Sequence, residues 1–193
     1  MTPIPNRTRR PIAARLLVVL ITGLFAITAG ASAASAAPQA GMSSAEVKLQ
    51  SDISAHIKAY GGTQISTNEI AWRGGRVVLT IPQPGSRAAL APGEKIAPLG
   101  TANCARGWTC LYEHSNFDGR RLTFTDCISE YLPNYGFRDQ ASSWHNNQTG
   151  GAVSVVYNYV GSSPQWIWSE PSPRQSTYVG DANNDKADAI QVC

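Results

Sequence analysis

Little in this chain of 193 residues is equipped for catalysis. It has three histidines, His56, His114 and His145, and four cysteines. No Gly-x-Ser-x-Gly elbow and no His-Glu-x-x-His pair frames a nucleophile, a base or a zinc ligand set. Ser143 and His145 alternate on one strand pattern, and Glu113-His114 stands beside a turn. Two polar neighbours of this kind do not make a triad, so no enzyme is expected. Basic clusters with interleaved aromatics are also missing, which argues against nucleic acid. The longest apolar run, Leu16 to Ala29, is short of the roughly 20 residues a membrane span needs.

That run does fit an export signal. Arg7, Arg9, Arg10 and Arg15 precede it, and Ala34-Ser35-Ala36 follows as a small-residue cleavage site. Residues 1–36 therefore read as a secretory signal peptide, and the protein is expected to be extracellular, with no membrane contact after cleavage. The chain carries 16 Lys and Arg against 13 Asp and Glu, and four of those arginines, with no acid, lie in the leader. Twelve cations against 13 anions remain, a net charge of −1, so the basic character belongs to the targeting segment. Four cysteines in an exported protein predict two disulfides, with three connectivities open.

In residues 37–81, Ser43 and Glu46 make a capping-box signature. Val47, Leu49, Ile53, Ile57 and Tyr60 then come at helical spacing until Gly61-Gly62. Asn68 to Trp72 and Arg76 to Ile81 read as two strands joined by Arg73-Gly74-Gly75. A helix and a hairpin alone are too small to bury a stable core. The segment either docks on the C-terminal domain or is a pro-segment removed after export. His56 reads as a surface residue of the helix. Residues 82–103 hold four prolines, three glycines and five alanines without periodicity, a linker by composition and the most cleavable stretch.

From Cys104 onward, short strands, aromatics and Gly/Asn/Asp turns predict an all-β domain over residues 104–193. Tyr112, Phe117 and Gly119 suggest a folded-over hairpin in which aromatics pack across the bend and glycine takes a left-handed angle. The unit recurs. Cys110-Leu111-Tyr112 aligns with Val155-Val156-Tyr157, and Leu122-Thr123 with Ile167-Trp168, at an offset of 45. Asp139 aligns with Asp185, and Ser142-Ser143-Trp144 with Asp188-Ala189-Ile190, at 46. Two four-strand copies predict two Greek-key motifs packed face to face as a sandwich.

Tyr112-x4-Phe117-x-Gly119, with the Asp139 to Ser143 turn after it, resembles a βγ-crystallin Greek key. Cys104-x5-Cys110 running into the first strand is similar to a family of secreted bacterial peptidase inhibitors. That family is built on one βγ-crystallin-like domain, and its founding members inhibit metalloproteinases. The resemblance implies inhibition of a secreted peptidase, metallopeptidases favoured, and the protein is expected to be a monomer. It also implies that Cys104 and Cys110 close a small loop, leaving Cys127 and Cys193 to staple the first motif to the C-terminal strand. This chain departs from the pattern by lacking a second close cysteine pair around a presented loop. The irregular, Pro- and Gly-bearing stretch Val160 to Ser176 is the candidate protease contact in its place. Its residues of interest are Gly161, Pro164, Trp166, Trp168 and Pro171. Alternation places Trp166 and Trp168 on one sheet face.

The same resemblance raises calcium. Calcium-binding βγ-crystallin turns read Asn/Asp-Asn/Asp-x-x-Ser/Thr-Ser and offer oxygen ligands. Here the first turn begins with Arg138, and the second ends in Asp188-Ala189 where a hydroxyl pair is expected. Asp139, Ser142, Asp185 and Asp188 are the candidate ligands of a weak Ca2+ site. No cofactor is otherwise required. The rival reading is a calcium- or carbohydrate-binding extracellular structural module, with Tyr157, Tyr159, Trp166, Trp168 and Tyr178 as aromatic candidates.

Overall fold

The computed structural model describes residues 41–95, 98 and 100–193. The signal-peptide reading for residues 1–36 falls outside the described residues.

Helix α1, Ser44–Tyr60, starts where the capping signature predicts. The Glu46 N–H donates to Ser43 Oγ at 3.3 Å and the Ser43 N–H to Glu46 Oε2 at 2.7 Å, satisfying two amides reciprocally. Leu49, Ile53 and Ile57 turn inward, whereas Val47 and Tyr60 stay exposed. His56 is not the surface residue expected. Its Nε2 lies 3.1 Å from the Tyr135 carbonyl, and its ring packs on Tyr60 and Trp72. Burial first, and the Arg120 cation second, lower its pKa.

Strands β1 (Thr63–Gln64), β2 (Glu69–Trp72) and β3 (Val77–Thr80) form an antiparallel ribbon, with the Arg73–Gly75 turn between β2 and β3. The ribbon docks on the C-terminal domain. β3 pairs along its whole length with β5 (Arg121–Phe124), from Val77 opposite Phe124 to Thr80 opposite Arg121. All four β3 side chains are buried as a result. The ribbon's turn is tied down as well: Arg73 bonds Glu130 and meets Asp126 at 2.7 Å, and Arg76 meets Asp126 at 2.9 Å.

Residues 82–103 are no free linker at their described positions. Main-chain carbonyls of the segment accept hydrogen bonds from the ribbon, from the segment itself and from the domain. Asn68 Nδ2 donates to the Leu90 carbonyl at 2.8 Å, Asn103 Nδ2 to that of Ala89 at 2.8 Å, and the Gly119 N–H to that of Arg87 at 2.8 Å. Arg87 pairs with Asp118 at 2.6 Å, and the buried Arg121 reaches Glu94 at 3.2 Å. The result is a strap laid across the domain.

The remaining strands are β4 (Thr109–Tyr112), β6 (Ser129–Tyr131), β7 (Ser143–Asn146), β8 (Val153–Val160), β9 (Ser163–Pro171), β10 (Arg174–Ser176) and β11 (Ala189–Gln191). One sheet runs β1-β2-β3-β5-β4-β7-β10 and the other β6-β11-β8-β9. β4–β7 are the first Greek key and β8–β11 the second. Each gives its third strand to the sheet of the other, so the expected two-motif sandwich is present and interlocked. Leu111, Leu122, Val156 and Ile190 are fully buried between the sheets, each contributing about 2 kcal/mol by area.

The hairpin of the first motif folds over as predicted. The Tyr112 and Phe117 rings meet edge to face at 5.2 Å. Gly119 has φ +75°, and a Cβ there would lie 2.9 Å from the side chains of Glu113 and His114. The second motif differs from expectation by one residue. A bulge at Val156/Tyr157 puts Trp168 opposite Val156 and Trp166 opposite Tyr157, with Ile167 unpaired between them. Leu122, opposite Leu111, therefore corresponds to Trp168 and not to Ile167. The extra residue also sends the two tryptophans to opposite sides: Trp168 is buried and Trp166 is 64% exposed.

Disulfides join Cys104 to Cys110 and Cys127 to Cys193, the pairing that the resemblance implies.

Glu170 is the one fully buried carboxylate facing the core from β9. It accepts the Trp168 indole N–H at 2.9 Å and the Thr109 hydroxyl at 3.0 Å, without a cationic partner among the described residues. Burial pushes its pKa up to about 7, against those two hydrogen bonds. A carboxyl whose folded pKa is raised costs nothing below its unfolded pKa and costs the full amount above its folded one. Glu170 thus destabilises the protein progressively from about pH 4.5 to 7, by on the order of 3 kcal/mol at the top. Glu170→Gln keeps one acceptor, and the Thr109 hydroxyl can turn to accept from the new amide. Denaturation at pH 5 and pH 8.5 should show the variant gaining on wild type as pH rises. A difference that is constant with pH would contradict this.

Candidate functional site

Ser143 and Glu113, two of the polar residues that could suggest an enzyme, are occupied structurally. The buried Ser143 hydroxyl donates to the His114 carbonyl at 2.6 Å and accepts the Phe117 N–H at 3.1 Å, pinning the folded-over hairpin. Glu113 is clamped by Arg120, whose N–H and Nε both reach Glu113 Oε2 at 3.0 Å and whose Nη2 reaches Oε1 at 2.9 Å. Burial alone would raise the Glu113 pKa, but these bonds outweigh it and hold it below the usual range. His145 is half-buried, and burial lowers its pKa.

The four candidate calcium ligands lie in two turns that face each other. The Asp139 N–H donates to the Ala187 carbonyl at 2.9 Å and the Asp185 N–H to that of Ala141 at 3.4 Å, so the two turns face each other as a pseudo-twofold pair. Asp139 and Asp185 both take left-handed angles, φ +53° and +56°, which aspartate tolerates better than most side chains. The pair is asymmetric in charge. Arg138 leads the first turn, and its Nε lies 2.8 Å from Asp188 and 3.3 Å from Asp139. Asn184 leads the second turn, and its buried Oδ1 has no hydrogen-bond partner. Ser142 Oγ and Asp185 Oδ1 are 3.4 Å apart beside it. Burial, then the neighbouring Asp188, push the Asp139 pKa up against Arg138. An internal guanidinium thus holds the Asp139–Asp188 half, while the Ser142–Asp185 half offers neutral and anionic oxygens. Among the described residues, no three His, Cys, Asp or Glu side chains form a metal-holding group.

The candidate contact stretch is not the irregular loop expected. Gly161 is in a two-residue turn between Val160 and Ser163, and Pro164, Trp166, Trp168 and Pro171 all belong to β9. The proline and glycine spacing that suggests irregularity marks the ends and the turn of a long hairpin. Gly161, Pro164 and Trp166 are exposed, Pro171 is partly buried, and Trp168 is in the core, out of reach of a partner. The root of this hairpin has a feature that motif reading missed. The fully buried Asp188 carboxylate accepts the Tyr159 N–H at 2.7 Å through Oδ2 and faces Arg138 through Oδ1. The arginine that looks like damage to a metal turn is a counter-ion. Only the pairing of Arg138 with Asp188 across the repeat could have signalled it.

No curated protein matches the chain. Among solved structures it is similar to a beta gamma crystallin from Ciona intestinalis, at 21% identity over 45% of this chain and 100% of that one, with TM-score 0.37. It is also similar to a betagamma-crystallin domain from Clostridium beijerinckii, at 19% identity over 45% of this chain and 97% of that one, with TM-score 0.37. Residues 97–166 match the family model of Peptidase inhibitor family I36. That stretch contains the Cys104–Cys110 loop, the folded-over hairpin, the first Asx turn and the hairpin of the second motif as far as Trp166. The segment from residue 97 to residue 166 carries the signature of peptidase inhibitor family I36, the kind of family that the cysteine spacing and the crystallin-like hairpin resemble.

Proposed function

We propose that this protein is an exported, monomeric inhibitor of extracellular peptidases, with metallopeptidases the favoured targets. The observation that carries the proposal is the family match over residues 97–166. Two disulfides and the absence of free cysteines among the described residues support an oxidising location. The physical mode is rigid occlusion: a crosslinked sandwich presents a surface with little conformational entropy left to lose on binding. Titration of the mature protein against a zinc metallopeptidase and a serine peptidase should give stoichiometric loss of activity with the first, and mass spectrometry should find the inhibitor intact. Steady degradation of the protein, or full activity of both enzymes at excess inhibitor, would overturn the proposal.

One observation favours a second reading beside it, weak calcium binding. Ser142, Asp185 and the partnerless Asn184 oxygen suit a hard cation, and Asp139 and Asp188 would join them only if Arg138 withdrew. Millimolar Ca2+ should therefore raise the melting temperature by a few degrees at most. Arg138→Gln should enlarge that shift. An identical melting curve for both proteins with and without Ca2+ counts against any metal site.

A further inference from the structure

The hairpin of β8 and β9 is longer than the sheet that carries it. β11 pairs only with Val155, Val156 and Tyr157, whereas β8 continues to Val160 and β9 starts at Ser163. Residues 158–165 therefore run past their sheet neighbour as a two-stranded arm, with Trp166 at its root opposite Tyr157. Every residue from Val160 to Trp166 is exposed, including Val160 at 63% and Trp166 at 64%. β9 is also the terminal strand of its sheet, with the outward edge of its main chain unpaired by any other strand among the described residues. No Asp, Glu, Lys or Arg occurs between Asp139 and Glu170, so the arm is free of charge.

Such an arm in water would be expected to fray. This one is braced at its root. Asp188 receives the Tyr159 N–H and gives its own N–H to the Tyr157 carbonyl at 2.8 Å, while Arg138 balances its buried charge. The Tyr131 ring packs edge-on against Tyr159 at 5.8 Å. On the other strand of the root, the Trp166 indole N–H donates to Ser169 Oγ at 3.1 Å, which holds an exposed ring in one orientation. Exposed apolar side chains held still are preorganised for a partner.

We infer that this arm with its root, Asn158 to Trp166, is the element that enters the peptidase cleft, with Asp188 and Arg138 as its positioning residues. The inference rests on the inhibitor reading proposed for the whole chain. The partner it fits is a peptidase whose cleft reads an extended chain through main-chain hydrogen bonds and whose subsites are apolar and uncharged. An edge strand supplies the first interaction, Trp166 and Val160 the second, and the missing charge leaves nothing for ionic subsites to recognise.

The test measures inhibition constants and dissociation rates against the peptidase that wild type inhibits, at low and at high salt. Trp166→Ala should raise the inhibition constant tenfold or more with an unchanged melting temperature, and wild-type inhibition should vary little with salt. Arg138→Gln, on an exposed side chain, should speed dissociation several-fold and make the arm a cleavage site, and Arg138→Lys should restore much of the loss. Val153→Ser, at the far end of β8, should behave as wild type. If wild type inhibits and Trp166→Ala inhibits equally well, the arm is not the contact although the inhibitor reading stands. If Trp166 matters but Arg138→Gln dissociates at the wild-type rate, the brace is wrong. If wild type inhibits no peptidase, the reading beneath the inference falls first.

Discussion

The structure depends on an exchange of strands. Each Greek key contributes its third strand, β6 or β10, to the sheet headed by the other motif. Neither four-strand unit can complete its hydrogen-bonded ladder or bury its inner face without its counterpart. The two Asx turns meet back to back at the crossing, exchanging main-chain bonds between Asp139 and Ala187 and between Asp185 and Ala141. Cys127 and Cys193 then fasten the first motif to the C-terminal end of the second. The disulfide closes a long loop, where crosslinking restricts the unfolded chain most.

The same interlock reaches outward in two directions. On one side, β5 would be an exposed edge if β3 did not pair with it, so the N-terminal ribbon completes a seven-stranded sheet. The arginines of its turn meet Asp126 and Glu130, and Tyr135 donates to Glu130 at 2.6 Å, joining ribbon and motif through one polar network. On the other side, the turn pair supplies the Asp188 carboxylate that holds the root of the β8–β9 hairpin. The Asp188 oxygens of the turn pair therefore serve shape. In that half of the turn pair the charge of Asp188 is met by the Arg138 guanidinium of the same chain.

Much of the fold was legible in the residues. Ser43 with Glu46 marks the helix start, Tyr112, Phe117 and Gly119 mark the folded-over hairpin, and the offset of 45 to 46 marks the duplication. What could not be read depends on long-range register. Nothing local in Val77 to Thr80 says that it will pair with Arg121 to Phe124. Nothing in Trp166-Ile167-Trp168 reveals a bulge, and that one residue decides which tryptophan is exposed. Composition misleads in the strap, because Pro, Gly and Ala predict freedom while the Asn68 and Asn103 side-chain amides bind the Leu90 and Ala89 carbonyls. Glu170 escapes notice for a similar reason: its position two residues after Trp168 places it inward only once the strand is known.

The central claim is that ribbon and double Greek key are one cooperative unit. Native-state hydrogen exchange across a denaturant series tests it most directly. The amides of Val77 to Thr80, Leu122 to Phe124 and Val155 to Tyr157 should converge on one opening free energy, that of global unfolding. Convergence of the β3 amides on a separate, lower value, with the two motifs still protected, would show the ribbon to be an independent attachment and contradict the account.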